Sequence, residues 1–167
     1  MRSFAVAGLI GATTVIVVGG LAWLVPVFRL PAPSGPYGIG TITWHWTDAS
    51  RDELFSVDGG KREIAGQAWY PSPVTTKQGG PYVDDARALS ANLVRVLSAN
   101  GLLRLPPFTF NHFSLIRTHA LVGSPVAPER FPVLIFLSGL GGFRQSNMAQ
   151  VERLVSHGFV VIGLDQP

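Results

Sequence analysis

The chain has 167 residues, with 13 Lys and Arg against 10 Asp and Glu, four His and no Cys. That length has room for about one domain, and the missing cysteines exclude a disulfide framework, a thiolate nucleophile and any Cys-ligated metal. The net charge of +3 does not point to nucleic acid: without Arg2 and Arg29, 11 basic residues stand against 10 acidic ones, and they are scattered singly rather than gathered into the runs or stripes that phosphate binding needs.

Only 14% of the residues are charged, against about a quarter in a typical soluble protein, and much of the deficit lies at the N-terminus. Phe4 to Phe28 contains no charged residue. As a helix it would reach roughly 37 Å, enough to cross a hydrocarbon core of about 30 Å. Arg2 and Arg29 flank it, and Trp23 stands near its distal end, where an interfacial aromatic belongs. Three readings compete: a transmembrane signal anchor over residues 1–29, a cleaved signal peptide, and a buried core helix. The anchor is the expectation, because the run exceeds the usual apolar stretch of a signal peptide and no clear A-x-A site follows it. A lone N-terminal anchor implies an exported domain, periplasmic or extracellular, or a secreted one if the segment is cleaved.

Leu30 to Pro36 reads as a linker, since its prolines forbid a continuing helix. From Tyr37 to Thr47 the residues alternate, with Ile42, Trp44 and Trp46 on one face and Thr41, Thr43 and His45 on the other, which predicts a strand. Asp48 to Glu53 reads as polar turn material. A second strand is predicted over Arg62 to Tyr70, entered through Asp58-Gly59-Gly60 and paired with the first as an antiparallel edge. Asp84 to Ala99 has helical spacing, with Leu89, Leu93, Val96 and Leu97 on one side, an Asp at the start and Asn100-Gly101 at the end. Leu105 to Arg117 is irregular, and Thr118 to Val122 suits a short strand. Val133 to Leu137 is an all-apolar strand of the kind found inside parallel sheets. Ser146 to His157 is an amphipathic helix closed by Gly158, and Phe159 to Leu164 is a further buried strand.

Strand, glycine-rich loop, helix, glycine and strand make one βαβ unit. Its loop, Ser138-Gly139-Leu140-Gly141-Gly142, is the most informative stretch of the chain. Such a loop binds phosphate, donates backbone N–H groups to an oxyanion, or simply turns. The dinucleotide fingerprint fails, because Arg144 stands where its third glycine belongs, and there is no Gly-Lys-Ser/Thr. An oxyanion loop fits the order of elements better. In an α/β-hydrolase sheet one donor comes from the loop after the third strand, and an antiparallel pair followed by two parallel strands is that fold's opening third.

Four pieces carry a more specific resemblance: Gly38-Ile39-Gly40, Ser50-Arg51-Asp52-Glu53, Gln67-Ala68-Trp69-Tyr70-Pro71, and the unit from Val133 to Asp165. Together they resemble the platelet-activating-factor acetylhydrolase family, the lipoprotein-associated phospholipase A2 type of α/β-hydrolase, from about Leu30 to the last residue. The resemblance implies an α/β fold for residues 37–167, the N-terminal part of an α/β-hydrolase sheet with antiparallel edge strands and then parallel strands, preceded by one transmembrane helix. It implies a serine ester hydrolase that cleaves short acyl chains from phospholipid-like or other small esters, with no metal or organic cofactor. It also implies that Leu140 gives its main-chain N–H to the oxyanion, with Ser138, Gly139, Gly141 and Gly142 shaping the loop. The family usually reads Ser-His-Gly-Leu-Gly here, so Ser138 replaces a histidine; the backbone donor is kept and any role of that side chain is lost.

No G-x-S-x-G occurs in the sequence. The nucleophile, acid and histidine of a Ser-His-Asp arrangement are therefore expected beyond Pro167, and the chain is expected to be an inactive N-terminal fragment of a longer enzyme. The alternative is a membrane-tethered, non-catalytic binding module on a hydrolase scaffold. It sits badly with Val160-Val161-Ile162, which as a final strand would expose an apolar edge. Structural roles are expected for the histidines: His45 in a strand, His112 and His119 in or near the irregular segment without metal-ligand spacing, and His157 as a helix cap. Asp165 is expected to bond local backbone, Arg144 to form a surface ion pair, and Trp44, Trp46 and Trp69 to pack on the sheet.

Overall fold

The computed structural model describes residues 27–54, 59–101, 104–139 and 142–165. Strand β1 (Gly38–Asp52) and strand β2 (Lys61–Ser72) pair antiparallel, from Gly38 opposite Ser72 to Asp48 opposite Arg62. The register sets Trp44 against Gly66, where a Cβ would come within 2.5 Å of the indole, so the glycine forms the floor on which the ring lies.

β1 does not stop where polar residues begin. It runs through the stretch expected to turn, with a register shift between Asp48 and Asp52. Asp48 Oδ1 accepts from the Ser50 amide (2.9 Å) and hydroxyl (2.6 Å), and Lys61 Nζ donates to Asp52 Oδ1 at 2.6 Å. Asp and Ser commonly bond their own backbone; here those bonds serve a bulge in an exposed ribbon rather than a chain reversal.

The sheet order is β3-β1-β2-β5-β4. Strand β3 (Ala120–Val122) runs parallel to the start of β1, so β1 has a neighbour on both sides there instead of forming the edge. Strand β5 (Val160–Leu164) joins β2 antiparallel, and strand β4 (Val133–Leu137) joins β5 in parallel. The expectation of an interior β4 is thus corrected. Among the described residues β4 is outermost, with Val133 57% and Ile135 69% exposed. The bare apolar edge belongs to β4, and β5 is the interior strand. Hydrophobicity marks both as buried-type strands but says nothing of their order across the sheet.

Helix α1 (Ala86–Ala99) is capped by Asp85, whose side chain accepts from the amides of Arg87 and Ala88 (2.9 and 3.0 Å). It ends at Asn100 and at Gly101, whose φ is +68°. The face it buries is Ala86, Ser90 and Val94, rotated from the leucine stripe, and Val96 is exposed. Ser90 accounts for the rotation: its hydroxyl donates to Pro107 O at 2.6 Å and accepts from the Phe110 amide at 2.8 Å, tying the helix to the irregular segment.

Helix α2 (Met148–Ser156) lays Met148, Val151 and Val155 on one face of the sheet, against Ile39, Trp69 and Val161. Of the three strand tryptophans Trp69 is fully buried, whereas Trp46 on the opposite face is 56% exposed. That opposite face, with Ile42, Trp46, Val133, Ile135 and Leu137, is open among the described residues.

Residues up to 26 of the apolar run lie outside the described residues. Among those described, no helix is long and apolar enough to cross a membrane. Phe28 sets its ring edge-on to Tyr82 and Phe113, with centroids 5.6 and 6.5 Å away. The proline-rich stretch lies against the end of α2: the amides of Gly35 and Tyr37 donate to Ser156 Oγ and Ser156 O, each at 3.1 Å.

Glu152 on α2 is fully buried. Its carboxylate accepts the His119 amide at 2.5 Å and lies 2.8 Å from His119 Nδ1. Burial pushes this carboxyl above the usual carboxylate range, with the bonds from His119 acting against that rise. A raised folded-state value means that the group's contribution to stability is fullest below the unfolded value and is lost as pH rises through the folded one. Glu152→Gln removes that loss. Its stability relative to the natural chain should therefore improve as pH rises above the ordinary carboxylate range, as read by thermal unfolding; a relative decline as pH rises there would contradict the assignment.

Candidate functional site

β4 delivers the chain to Ser138 and Gly139 at the carboxyl rim of the two parallel strands, where sites in open α/β sheets form. Gly139 is exposed, with nothing within 4 Å of an added Cβ. Leu140 and Gly141 lie outside the described residues. The chain resumes at Gly142, whose amide donates to Gly139 O at 2.8 Å. A Cβ on Gly142 would stand 3.0 Å from Ser138 Cβ and 3.1 Å from Gly139 O, so any larger residue would have to push the loop open. Ser146 then ties off the far side. Its hydroxyl accepts from the Phe143 amide at 2.9 Å, and its own amide donates to Phe143 O at 2.8 Å.

Beneath the loop lies Arg144, which is buried rather than on the surface. Its amide donates to Asp165 Oδ1 at 2.7 Å and its Nη1 to Asp165 Oδ2. Nη2 donates to Asp84 Oδ2 at 2.9 Å and Nε to Gln67 Oε1 at 3.2 Å. Gln145 Nε2 donates to the same Gln67 oxygen at 2.9 Å, and Gln67 Nε2 passes the chain of bonds to Thr41 Oγ1 at 2.9 Å. The planar guanidinium has donors enough to serve three acceptors on three segments. It therefore joins the start of the loop-to-helix turn to the end of β5, to β2 and to the approach to α1. Gly163 makes room for it, since a Cβ there would come within 3.1 Å of Arg144 Cβ and 3.0 Å of the Trp69 ring.

Asp165 is expected to bond local backbone; its partner is instead the amide of Arg144, on the segment before α2, and it carries that guanidinium as well. Sequence reasoning missed Gln67, Gln145 and Asp84. A signal existed for Gln67: it shares its face of β2 with Trp69, so a polar residue at that parity is a buried one that needs partners. The histidines stand apart from this network. His45 is exposed on β1, His112 Nδ1 lies 3.1 Å from Thr109 O, and His157 caps α2 with its Nε2 3.1 Å from Ser34 Oγ. Among the described residues no group of three or more His, Asp or Glu is placed to hold a metal ion.

An antiparallel pair leading into two parallel strands, with a glycine loop clamped at the carboxyl rim of the first, is the arrangement that the resemblance implies. The family described as platelet-activating factor acetylhydrolase, isoform II, matches residues 29–166. The chain belongs to this family. Among solved structures it is similar to a ferulic acid esterase from Streptomyces cinnamoneus, at 28% identity and a TM-score of 0.65. The similarity covers 84% of this chain and 37% of that one, so the chain spans little more than a third of the esterase's length. No curated protein matches it.

The clamp has a measurable consequence for this acetylhydrolase-family domain. Removing one partner of a buried, hydrogen-bonded ion pair costs about 3–5 kcal/mol. Arg144→Ala should fall at the low end of that range, because Asp84 and Asp165 are partly exposed. Arg144→Lys should recover only part of the loss, since an ammonium cannot reach three acceptors with a planar fork. Asp84→Asn, at a half-exposed acceptor, should cost no more than about 1 kcal/mol. Urea denaturation of the three variants checks the order; an Asp84→Asn loss equal to that of Arg144→Ala would contradict it.

Proposed function

We propose that the chain contributes the oxyanion loop of a serine ester hydrolase, with the Leu140 main-chain N–H as donor and Ser138, Gly139, Gly141 and Gly142 setting the shape of the loop. One observation supports this above the others: the bond from Gly142 N–H to Gly139 O. In a turn closed between its first and fourth residues, the amide of the second is not used by the closing bond. Leu140 is that second residue. The clamp on Arg144 supports the same reading, because an oxyanion donor is useful only if it is held in place before charge develops.

The serine, acid and histidine belong, on this proposal, to sequence beyond the chain, packed along β4 and over the open face of the sheet. The exposed Val133, Ile135 and Leu137 support that, since contiguous apolar surface of this kind marks a place where further structure packs. The proposed substrates are short-acyl, phospholipid-like or other small esters, in keeping with the family and with the esterase likeness. We place the apolar run of residues 4–28 as a membrane anchor for an exported domain.

The test is hydrolysis of p-nitrophenyl acetate by the intact gene product, in membrane and soluble fractions, with and without a serine-directed organophosphate. Inhibitor-sensitive turnover in the membrane fraction is expected. Leu140→Pro deletes the N–H while keeping a φ that suits the second position of a turn. It should lower kcat about 10²–10³-fold, whereas Leu140→Ala, which keeps the N–H, should stay within about threefold of the natural enzyme. Equal losses in the two variants, or turnover indifferent to the inhibitor, would count against the proposal.

A further inference from the structure

A second feature lies away from the glycine loop, where the chain enters the domain. A cavity of about 480 Å³ is lined by Arg29, Lys77, Arg117 and His119 on its polar side, with Val27, Phe28, Leu30 and Leu115 among its apolar walls. No carboxylate lines it. Among the described residues, Arg29, Lys77 and Arg117 have no acidic partner. Three cations facing one space without counter-charge raise the local potential, and a concave wall of lower dielectric focuses it.

The fourth basic residue is held in place. Glu152, itself fully buried, engages the His119 amide and Nδ1, so the ring is fixed at the cavity wall. The Gln78 side-chain amide, also on the wall, adds neutral donors. The charged donors of Arg29, Lys77 and Arg117, two of them guanidinium forks, match the oxygens of a phosphate. The apolar wall suits whatever a phosphate ester carries on its other side.

We propose that this cavity is a phosphate-binding site, taking the phosphate of an anionic lipid headgroup or free phosphate. The site stands on the arrangement of Arg29, Lys77, Arg117 and His119 and does not depend on the ester-hydrolase reading. Its position favours the first source: Val27, Phe28 and Arg29 are the last residues of the apolar run and its flanking charge, and basic residues beside a membrane segment attract anionic headgroups.

The experiment is isothermal titration of the full chain in neutral detergent with three probes: inorganic phosphate, dihexanoyl phosphatidic acid and dihexanoyl phosphatidylcholine. Saturable binding of one phosphate or one phosphatidic acid per chain is expected, weakening as salt is raised. Lys77→Glu with Arg117→Glu should weaken it at least about tenfold, while Arg95→Glu on the exposed face of α1, which changes the net charge in the same direction, should leave it unchanged. Lys77→Gln with Arg117→Gln repeats the test without introducing acids, and circular dichroism of each variant checks folding. Phosphatidic acid binding well above inorganic phosphate supports a lipid headgroup, and the two binding alike supports free phosphate. Absence of binding by both, preference for phosphatidylcholine, or equal losses in the Arg95 variant and the double variant would overturn the site.

Discussion

The guanidinium of Arg144 is the interaction on which the arrangement at the sheet's rim depends. A glycine-rich loop has high conformational entropy, and the one bond described within Ser138 to Gly142, from the Gly142 amide to Gly139 O, closes it without tying it to the sheet. Arg144 follows two residues later and is bonded to Asp165 at the end of β5, to Gln67 on β2 and to Asp84 before α1. Fixing that one side chain fixes the far end of the loop against two strands. β4 fixes the near end at Ser138. Taking a guanidinium out of water is costly unless its donors are satisfied, and the same requirement forces Gln67, Gln145 and Thr41 into a single bonded chain beneath the loop.

The two faces of the sheet are unequal in a way that bears on function. One face is closed by α2, with Trp69, Val155 and Val161 sealed beneath it. The other shows Ile42, Trp46 and Ile135 to solvent, and β4 has no neighbour on its outer side among the described residues. The Arg144 clamp lies on the closed side, so the loop is positioned by contacts that the chain contains. This division lets a family match over residues 29–166 and an esterase likeness covering 37% of that enzyme describe one structural unit.

Much of the fold was legible in the sequence, and the failures share a cause. Val133 to Leu137, Phe159 to Leu164 and the helix between them are short apolar or amphipathic segments set off by glycine, and local pattern is enough for those. The Asp85 cap and the Asn100-Gly101 end of α1 follow from side-chain chemistry acting over three or four residues. The position of β4 at the outside of the sheet among the described residues, and of β3 beside β1, depends on which strands meet, and hydrophobicity does not encode that order. The same holds for the buried stripe of α1, where Ser90 displaced the leucines because Pro107 and Phe110, far along the chain, supply its partners. At the site, the glycine loop was visible as a motif, but the clamp beneath it was not. Arg144, Asp84, Gln67 and Asp165 come from four separate segments, and the burial of an arginine becomes legible only when all its acceptors are in view.

The central proposal is that the turn after β4 is anchored from below at Arg144 and that the Leu140 amide is free for an oxyanion. Amide hydrogen exchange across residues 139–144, resolved by NMR, tests it most directly. The account predicts slow exchange at Gly142 and Arg144, whose amides are bonded to Gly139 O and Asp165, and near-unprotected exchange at Leu140. A Leu140 amide as protected as that of Gly142, or a Gly142 amide exchanging as fast as an open coil, would contradict it.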